Sequence, residues 1–353
     1  MKREIFVGRV GIGADHPVSI QSMTNTAAQD VESTLKQIRQ LKNAGCDIVR
    51  VAVPEKAALP AFRTIAARSP LPVIADIHFD ASLALGAIEN GAHGIRINPG
   101  NIGGNEKLKA VVRMAAQSKI PIRIGVNAGS LEKKYQRTGL ARPEAMVASL
   151  LDKIKFIEDQ HFFDLKVSLK SHDVRETVAA NRLADRSCPY PLHLGVTEAG
   201  TFFSGSIRSA LGIGSLLLDG IGNTIRVSLT ANPVREIRVA RQILAAAGLS
   251  RSGVEIISCP TCARTSVDLI PLVAEFEKQI ARLQFRGRVR VAIMGCEVNG
   301  PGEAGDADVG LAFSRRHGFL FKKGRIVART DADGGLARLV EMLREMQEEK
   351  VHG

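Results

Sequence analysis

Eight short apolar runs, each followed by a stretch of helical periodicity, recur between residues 18 and 247. They fall at 18–23, 47–53, 72–76, 94–98, 122–126, 164–168, 192–197 and 224–228, and they are β-branched and nearly continuous in apolar character. Strands of that kind are buried on both faces, as parallel strands covered by helices must be. The intervening stretches carry helix punctuation. Asp30 is placed to cap a helix built on Val31, Leu35, Ile38 and Leu41 and closed by Gly45. Pro143 suits a first turn, and Asn232-Pro233 opens a last helix that ends at Gly248. Eight strand–helix units in about 230 residues fit a closed (β/α)8 barrel, with a doubly wound open sheet as the competing α/β arrangement.

After Gly248 the pattern changes. A strand at 254–257 runs into Cys259-Pro-Thr-Cys262, a helical stretch covers 266–283, and a strand at 289–294 runs into Gly295-Cys-Glu-Val-Asn-Gly-Pro-Gly-Glu303. Strands at 319–321 and 325–328 flank Lys323-Gly324 as a hairpin, and 334–349 is an amphipathic helix. The division expected is a barrel domain over 1–248 and a small α/β domain over 249–353, with both cysteine groups gathered at one end of the second sheet. Thiolates select zinc, copper(I) or iron–sulfur clusters. A C-x-x-C alone also marks redox dithiols and structural zinc. The third cysteine beside a glycine turn points to a metal or cluster site over buried structural thiols. Cys46 and Cys188 each precede a strand, which puts them at the barrel's other face. A fourth ligand is then not a cysteine. Glu303, seven residues after Cys296, is the best placed, with His317 and Asp306 as weaker options.

Composition narrows the function. The 353 residues are 45% hydrophobic and 24% charged, as in an ordinary globular protein. No apolar run reaches membrane-spanning length, the N-terminus lacks a signal-peptide core, and five cysteines suggest a reducing, cytoplasmic setting. The net charge of +12 raises the question of nucleic acid. With no Trp, two Tyr and no dense basic block, neither nucleic acid nor membrane is the expected partner. The cations instead recur singly at strand positions: Arg50, Arg96, Arg123, Lys166, Lys170 and Arg226. Barrel enzymes work at the C-terminal ends of their strands, where Asp76, His78, Asn98, Asn127, His193 and Glu198 also fall. Six cations against two acids, Asp76 and Glu198, predict a substrate carrying two or more negative charges, since Arg grips phosphate bidentately. Glu198 suits a general acid or base, its plainer role being a salt-bridge partner. His78 and His193 are expected as helpers or core residues, and 128–142 as a lid or a solvated loop.

The motifs together resemble one family. They are Val18-Ser-Ile-Gln-Ser-Met-Thr-Asn-Thr26, Ala75-Asp-Ile-His-Phe-Asp80, Arg96-Ile-Asn-Pro-Gly-Asn-Ile102 and Ile124-Gly-Val-Asn-Ala-Gly-Ser130. Gly195-Val-Thr-Glu-Ala-Gly200, Gly222-Asn-Thr-Ile-Arg-Val-Ser228 and the two cysteine motifs complete the set. They are similar to those of the 4-hydroxy-3-methylbut-2-enyl diphosphate synthases of the methylerythritol phosphate route to isoprenoids, in the compact two-domain bacterial form. The resemblance implies a [4Fe–4S] cluster on Cys259, Cys262, Cys296 and Glu303. It implies two-electron reductive opening of a cyclic diphosphate, with electrons from flavodoxin or ferredoxin. Arg50, Arg96, Arg123, Lys170, Arg226 and Arg264 would hold the diphosphate with Asn98 and Asn127, beside Asp76, and Glu198 would handle the proton of the departing hydroxyl. The rival readings are a pterin-type transferase barrel with a structural metal domain and a DNA-binding iron–sulfur sensor. A final expectation concerns assembly. The last barrel helix returns the chain to the face away from the mouth, so a homodimer is expected in which each cluster domain serves the other subunit's barrel.

Overall fold

The chain opens with a hairpin, β1 (Ile5–Val7) against β2 (Val10–Ile12), turning at Gly8, whose φ is +56°. The computed structural model describes residues 1–98, 102–250, 252–280, 283, 285, 287–296, 304–315, 317–331 and 334–352. Two compact units divide it, Met1–Leu249 and Ser250–Gly353.

Eight parallel strands follow the hairpin in the first unit. They are β3 (Ser19–Met23), β4 (Ile48–Ala52), β5 (Val73–Asp76), β6 (Gly94–Ile97), β7 (Ile122–Asn127), β8 (Leu165–Lys170), β9 (His193–Leu194) and β10 (Thr224–Ile225). Each pairs with its successor from β3 to β8, β10 pairs with both β9 and β3, and a bridge between Val167 and Leu192 joins β8 to β9. The sheet therefore closes into the barrel expected, not the open sheet. The helices form where the caps are. Asp30 accepts from the Ser33 amide at the head of Val31–Ala44, and Gly45 ends that helix at φ +101°. Asn232 caps Pro233–Ala246 in the same way.

Alternation along the strands separates two surfaces. Val49, Val51, Val73, Ala75, Ile95, Ile97, Val167, Leu169 and Ile225 face outward into one continuous core with the helices. The inward positions are mostly polar, unlike the branched apolar filling usual in such barrels. The exceptions near the base, Ile48 and Ile74, are covered by the hairpin, which packs Ile5, Val7 and Ile12 against them. That hairpin was not anticipated; its buried isoleucines stabilise the base by roughly 1.5–3 kcal/mol each.

The second unit is a five-stranded sheet. Parallel strands β11 (Gly253–Ser258), β12 (Arg288–Met294) and β13 (Val309–Phe313) are followed by antiparallel β14 (Gly318–Lys322) and β15 (Arg325–Thr330). Helices Leu269–Ile280 and Gly335–His352 complete the unit, and Phe276, Val291, Leu311, Phe313, Leu339 and Leu343 form its centre. Strand β13 is an addition to the elements read from the sequence. Among the described residues no helix is long and apolar enough to cross a membrane.

Candidate functional site

The strand register fixes the height of each inward side chain in the barrel. Asp76 pairs with Arg96, Arg96 with Arg123, Arg123 with Lys166, Asn127 with Lys170, and His193 with Thr224. With one residue of stagger per strand, the inward positions sort into tiers. Gln21, Arg123 and His193 lie low, with Lys166 just below them. Arg50, Arg96 and Arg226 lie above, then Asp76, then Asn98, Lys170 and Ser228, and at the open end His78, Asn127 and Thr197. The residues expected at the mouth are thus brought together, spread over the depth of the lumen.

Asp76 is the hub of the upper part. Its carboxylate is 3.4 Å from Arg50 Nε, 3.3 Å from Arg96 Nη1 and 3.3 Å from His78 Nε2. Burial alone raises its pKa, but Arg50, the His78 hydrogen bond and then Arg96 and Arg123 hold it well below the usual carboxylate range. It is therefore ionised and fixes two guanidinium groups in place. It does not balance the rest. Burial, with Arg123 and Arg226 as neighbours, drives the Lys170 ammonium well below its ordinary pKa. The Nε of Arg50, Arg96, Arg123 and Arg226 all lack a hydrogen-bond partner among the described residues. Arg50 Nη2 donates to the thioether of Met23 at 3.1 Å, a weak acceptor for so strong a donor. Such a set asks for an anion. Gly195 leaves the space in which Lys170 lies: a Cβ there would sit 2.6 Å from Lys170 Nζ and from the Arg226 carbonyl.

Glu198 is exposed on the loop that follows β9 and makes no ion pair with a described residue, so the salt-bridge role is not what the structure shows. Its φ of +54° is left-handed, a conformation that costs a non-glycine residue about 1 kcal/mol or more and gathers at functional sites. The second acid near the arginines is instead Glu236, in the first turn of Pro233–Ala246. It is 5% exposed and accepts from the Leu229 amide at 2.9 Å and from Ser22 Oγ at 3.3 Å. Burial pushes its carboxyl up, against Arg226 and those hydrogen bonds. Sequence reading passed it over because an acid in a first helical turn looks like ordinary dipole compensation. Segment 128–142 folds as a 3-10 turn, Ala128–Ser130, and a short helix, Lys133–Gln136. It is anchored to the next helix by Tyr135 on Asp152 (2.5 Å) and Glu132 on Lys153 (2.9 Å).

His193 is fully buried with neither ring nitrogen bonded to a described residue, and burial and then Lys170, Arg123 and Lys166 push its pKa well below 6.5. The folded protein keeps it neutral while the unfolded chain takes up a proton near pH 6.5, so the unfolded state binds more protons as pH falls and stability drops. Between pH 7.5 and 5.5 this one group costs about 1.4 kcal/mol. Urea denaturation of His193→Gln at the two pH values is expected to show a smaller loss than the parent by that amount.

In the second unit two of the thiols follow neighbouring strands. Cys259 follows β11 and Cys296 follows β12 by one residue, at the same end of two paired parallel strands. The Gly295 amide donates to Cys259 Sγ at 3.3 Å. Ser266 ties the two loops by donating from its amide to the Gly295 carbonyl at 2.8 Å. Gly295 has to be glycine, since a Cβ would meet Thr265 Cγ2 at 2.7 Å. Cys262 is exposed, and the Arg264 amide and then its guanidinium lower the thiol's pKa. All of these cysteines are free. Among the described residues no three His, Cys, Asp or Glu side chains stand ready to hold a metal ion, and Glu303, the expected fourth ligand, lies outside those residues. Three thiols, one already accepting a backbone N–H, suit an iron–sulfur group in donor type.

Comparison with known proteins covers both units. Residues 2–241 match the model of the GcpE TIM-barrel domain and residues 255–345 that of the GcpE protein C-terminal domain. A protein of Caldanaerobacter subterraneus named 4-hydroxy-3-methylbut-2-en-1-yl diphosphate synthase (flavodoxin) is 50% identical over 351 residues, 99% of this chain and 98% of its own. Proteins of the same name from Lawsonia intracellularis and Geobacter sulfurreducens are 52% and 51% identical, over 92% and 97% of this chain and 90% and 98% of their own. Among solved structures, Yersinia pestis dihydropteroate synthase superposes with a TM-score of 0.51 at 12% identity, covering 70% of this chain and all of that one. That likeness is one of barrel fold alone.

Proposed function

The chain belongs to the GcpE family of 4-hydroxy-3-methylbut-2-en-1-yl diphosphate synthases, and we propose how its residues divide that enzyme's work. It is an oxidoreductase of isoprenoid biosynthesis. It opens 2-C-methyl-D-erythritol 2,4-cyclodiphosphate reductively to (E)-4-hydroxy-3-methylbut-2-enyl diphosphate, taking up two electrons and two protons and releasing one water. The pterin-type transferase reading has no support from sequence relatives. The observation that carries the assignment of roles is the surplus of buried, unpaired cation in the barrel.

The barrel unit is the substrate domain. Arg50, Arg96, Arg123, Lys170 and Arg226 grip the diphosphate, with Asn98 and Asn127 as neutral donors near the open end and Arg264 as a further cation from the second unit. Asp76 acts differently from the expectation. A carboxylate beside a diphosphate repels it, so Asp76 works as a positioning residue that holds Arg50 and Arg96 in fixed orientations. The arriving anion also favours the charged form of Lys170. Glu198 holds the proton that leaves with the hydroxyl as water.

The second unit is the cluster domain, its ligands Cys259, Cys262, Cys296 and Glu303. A [4Fe–4S] group bound there supplies the reducing electrons one at a time, from flavodoxin, which the relatives' names carry, or from ferredoxin. The working form is a cytoplasmic homodimer in which each cluster domain serves the partner subunit's barrel. The path of the chain within the barrel unit supports this. Arg241, late in Pro233–Ala246, donates to the Ala44 carbonyl at 3.3 Å, close to where β4 begins, so the chain leaves the barrel at its base while the cations open at the other end.

Anaerobic purification and assay test the reading. Brown protein with about four iron and four sulfide per chain, turning over the cyclodiphosphate with reduced flavodoxin, is expected. Colourless protein with one zinc and no turnover sinks it. Subunit sharing is tested by exchanging Glu198→Gln and Cys296→Ser chains. Half the dimers then carry one intact site, and activity is expected to recover to roughly a quarter of the parent's. A mixture that stays inactive means that each chain serves itself.

A further inference from the structure

We propose that the helix-free face of the β14–β15 hairpin, with Arg315 in the turn beside it, is the surface on which an acidic electron-donor protein docks. The proposal rests on the functional reading above and adds where the donor meets the second unit. From Val309 to Thr330 the chain carries six Lys or Arg and no Asp or Glu. The described cations of that run, Arg315, Lys322, Lys323, Arg325 and Arg329, are all exposed, and none makes an ion pair with a described residue. Elsewhere in the unit Arg288 and Arg290 bridge Glu255, and Arg338 bridges Glu341 and Glu345.

Register settles what the hairpin presents. Helices Leu269–Ile280 and Gly335–His352 pack on the side of the sheet to which Leu311, Leu320 and Ala328 belong. Phe319, Phe321, Ile326 and Arg329 have the opposite parity, and Phe321 packs there with Ala292, Met294 and Ala312, a cluster to which neither helix contributes. The Arg329 guanidinium lies over the half-buried Phe319, 5.6 Å from the ring centre, and Ile326, opposite Phe321, is 54% exposed. Exposed apolar side chains beside arginine are what protein-binding surfaces are enriched in. Strand β13 runs parallel to β12 with Ala312 beside Met294, so the Ser314–His317 turn follows it at the end where Gly295-Cys296 follows β12. The Ser314 amide closes that turn on the His317 carbonyl at 2.8 Å. Neighbouring strands lie about 4.8 Å apart, so the turn begins about one strand, and Phe319 stands about two, from the strand that delivers Cys296. A donor seated here is close to the thiols.

Charges on an edge strand also keep it from pairing with another chain, and β15 is an edge of the sheet. Either sign serves that purpose, and Arg315 is not on the edge strand. A run of cations without one acid asks for an acidic partner. In the functional reading the other protein surface that the cluster domain meets is the partner subunit's barrel, whose mouth carries a surplus of cations. Like charges set against each other oppose docking, so that mouth does not suit this face.

Iron-loaded protein carrying both Arg315→Glu and Arg329→Glu tests the surface against a flavodoxin of net negative charge. Binding at low ionic strength is expected to weaken about tenfold or more, with a shallower salt dependence than the parent's. The KM for flavodoxin should rise by the same factor, while turnover driven by reduced methyl viologen stays unchanged. Lys36→Glu, the same reversal on the barrel helix Val31–Ala44, controls for net charge and should bind as the parent does. Equal affinity in the parent and the double variant, or an equal loss in Lys36→Glu, overturns the proposal. So does a double variant that keeps its iron but loses viologen-driven turnover or changes its mass in solution, because the face then serves the other subunit. If the double variant fails to load iron, Arg315→Gln alone is read the same way, at a loss of about threefold. The binding measurement needs no turnover, so a parent that does not turn over the cyclodiphosphate counts against the functional reading and not against this surface.

Discussion

Glu198→Gln is expected to bind the cyclodiphosphate as tightly as the parent while losing about 10²–10⁴ in turnover, the usual contribution of a positioned general acid. That loss is about 3–5 kcal/mol of transition-state stabilisation. The amide keeps the shape and the left-handed backbone at φ +54°, and removes only the transferable proton. Equilibrium binding and single-turnover kinetics separate the two effects. A loss below about threefold returns Glu198 to a structural role. Glu198→Gly sharpens the test. Glycine relieves the left-handed conformation, so the variant should be more stable by about 1 kcal/mol and still inactive. A residue kept only for structure does not behave that way.

The second large effect is the loss of iron from Cys296→Ser. Serine nearly matches the buried thiol in size, so the sheet around β12 is expected to survive, but an alkoxide is a poor ligand where iron prefers thiolate. Iron per chain should fall from about four to near zero, and turnover should go with it. Cys46→Ser is the control. The Cys46 thiol donates to the Ile48 carbonyl at 3.1 Å, and burial pushes its pKa up to about 12, so it is no thiolate and holds no metal. That variant should keep its full iron content. A Cys296→Ser protein with its iron intact removes Cys296 from the ligand set.

The barrel strands were legible because strands buried on both faces show nearly unbroken apolar runs, with caps such as Asp30 and Asn232 between them. Their lengths were less so. The seventh run, expected over 192–197, is a strand only at His193–Leu194, with a single bridge at Leu192, and its continuation becomes the loop that carries Glu198. Strands β1 and β2 are three residues each, too short for a period to show. Strand β13, Val309–Phe313, escaped because it follows a glycine-rich stretch of sequence with no helical periodicity to announce it. Single residues were read unevenly for a physical reason. That the arginines face into the barrel follows from parity alone. Which acid answers them does not, because Glu236 reaches its place through the packing of a helix formed far along the chain. Likewise, nothing local reveals that Asp76 serves two arginines at once.

The apolar seal of the hairpin on Ile48 and Ile74 makes the barrel a vessel with one opening. With the substrate in the lumen, as proposed above, substrate and product would share a single doorway, and one would have to clear it before the next enters. Accumulated product should therefore obstruct entry and act as a competitive inhibitor of its own formation.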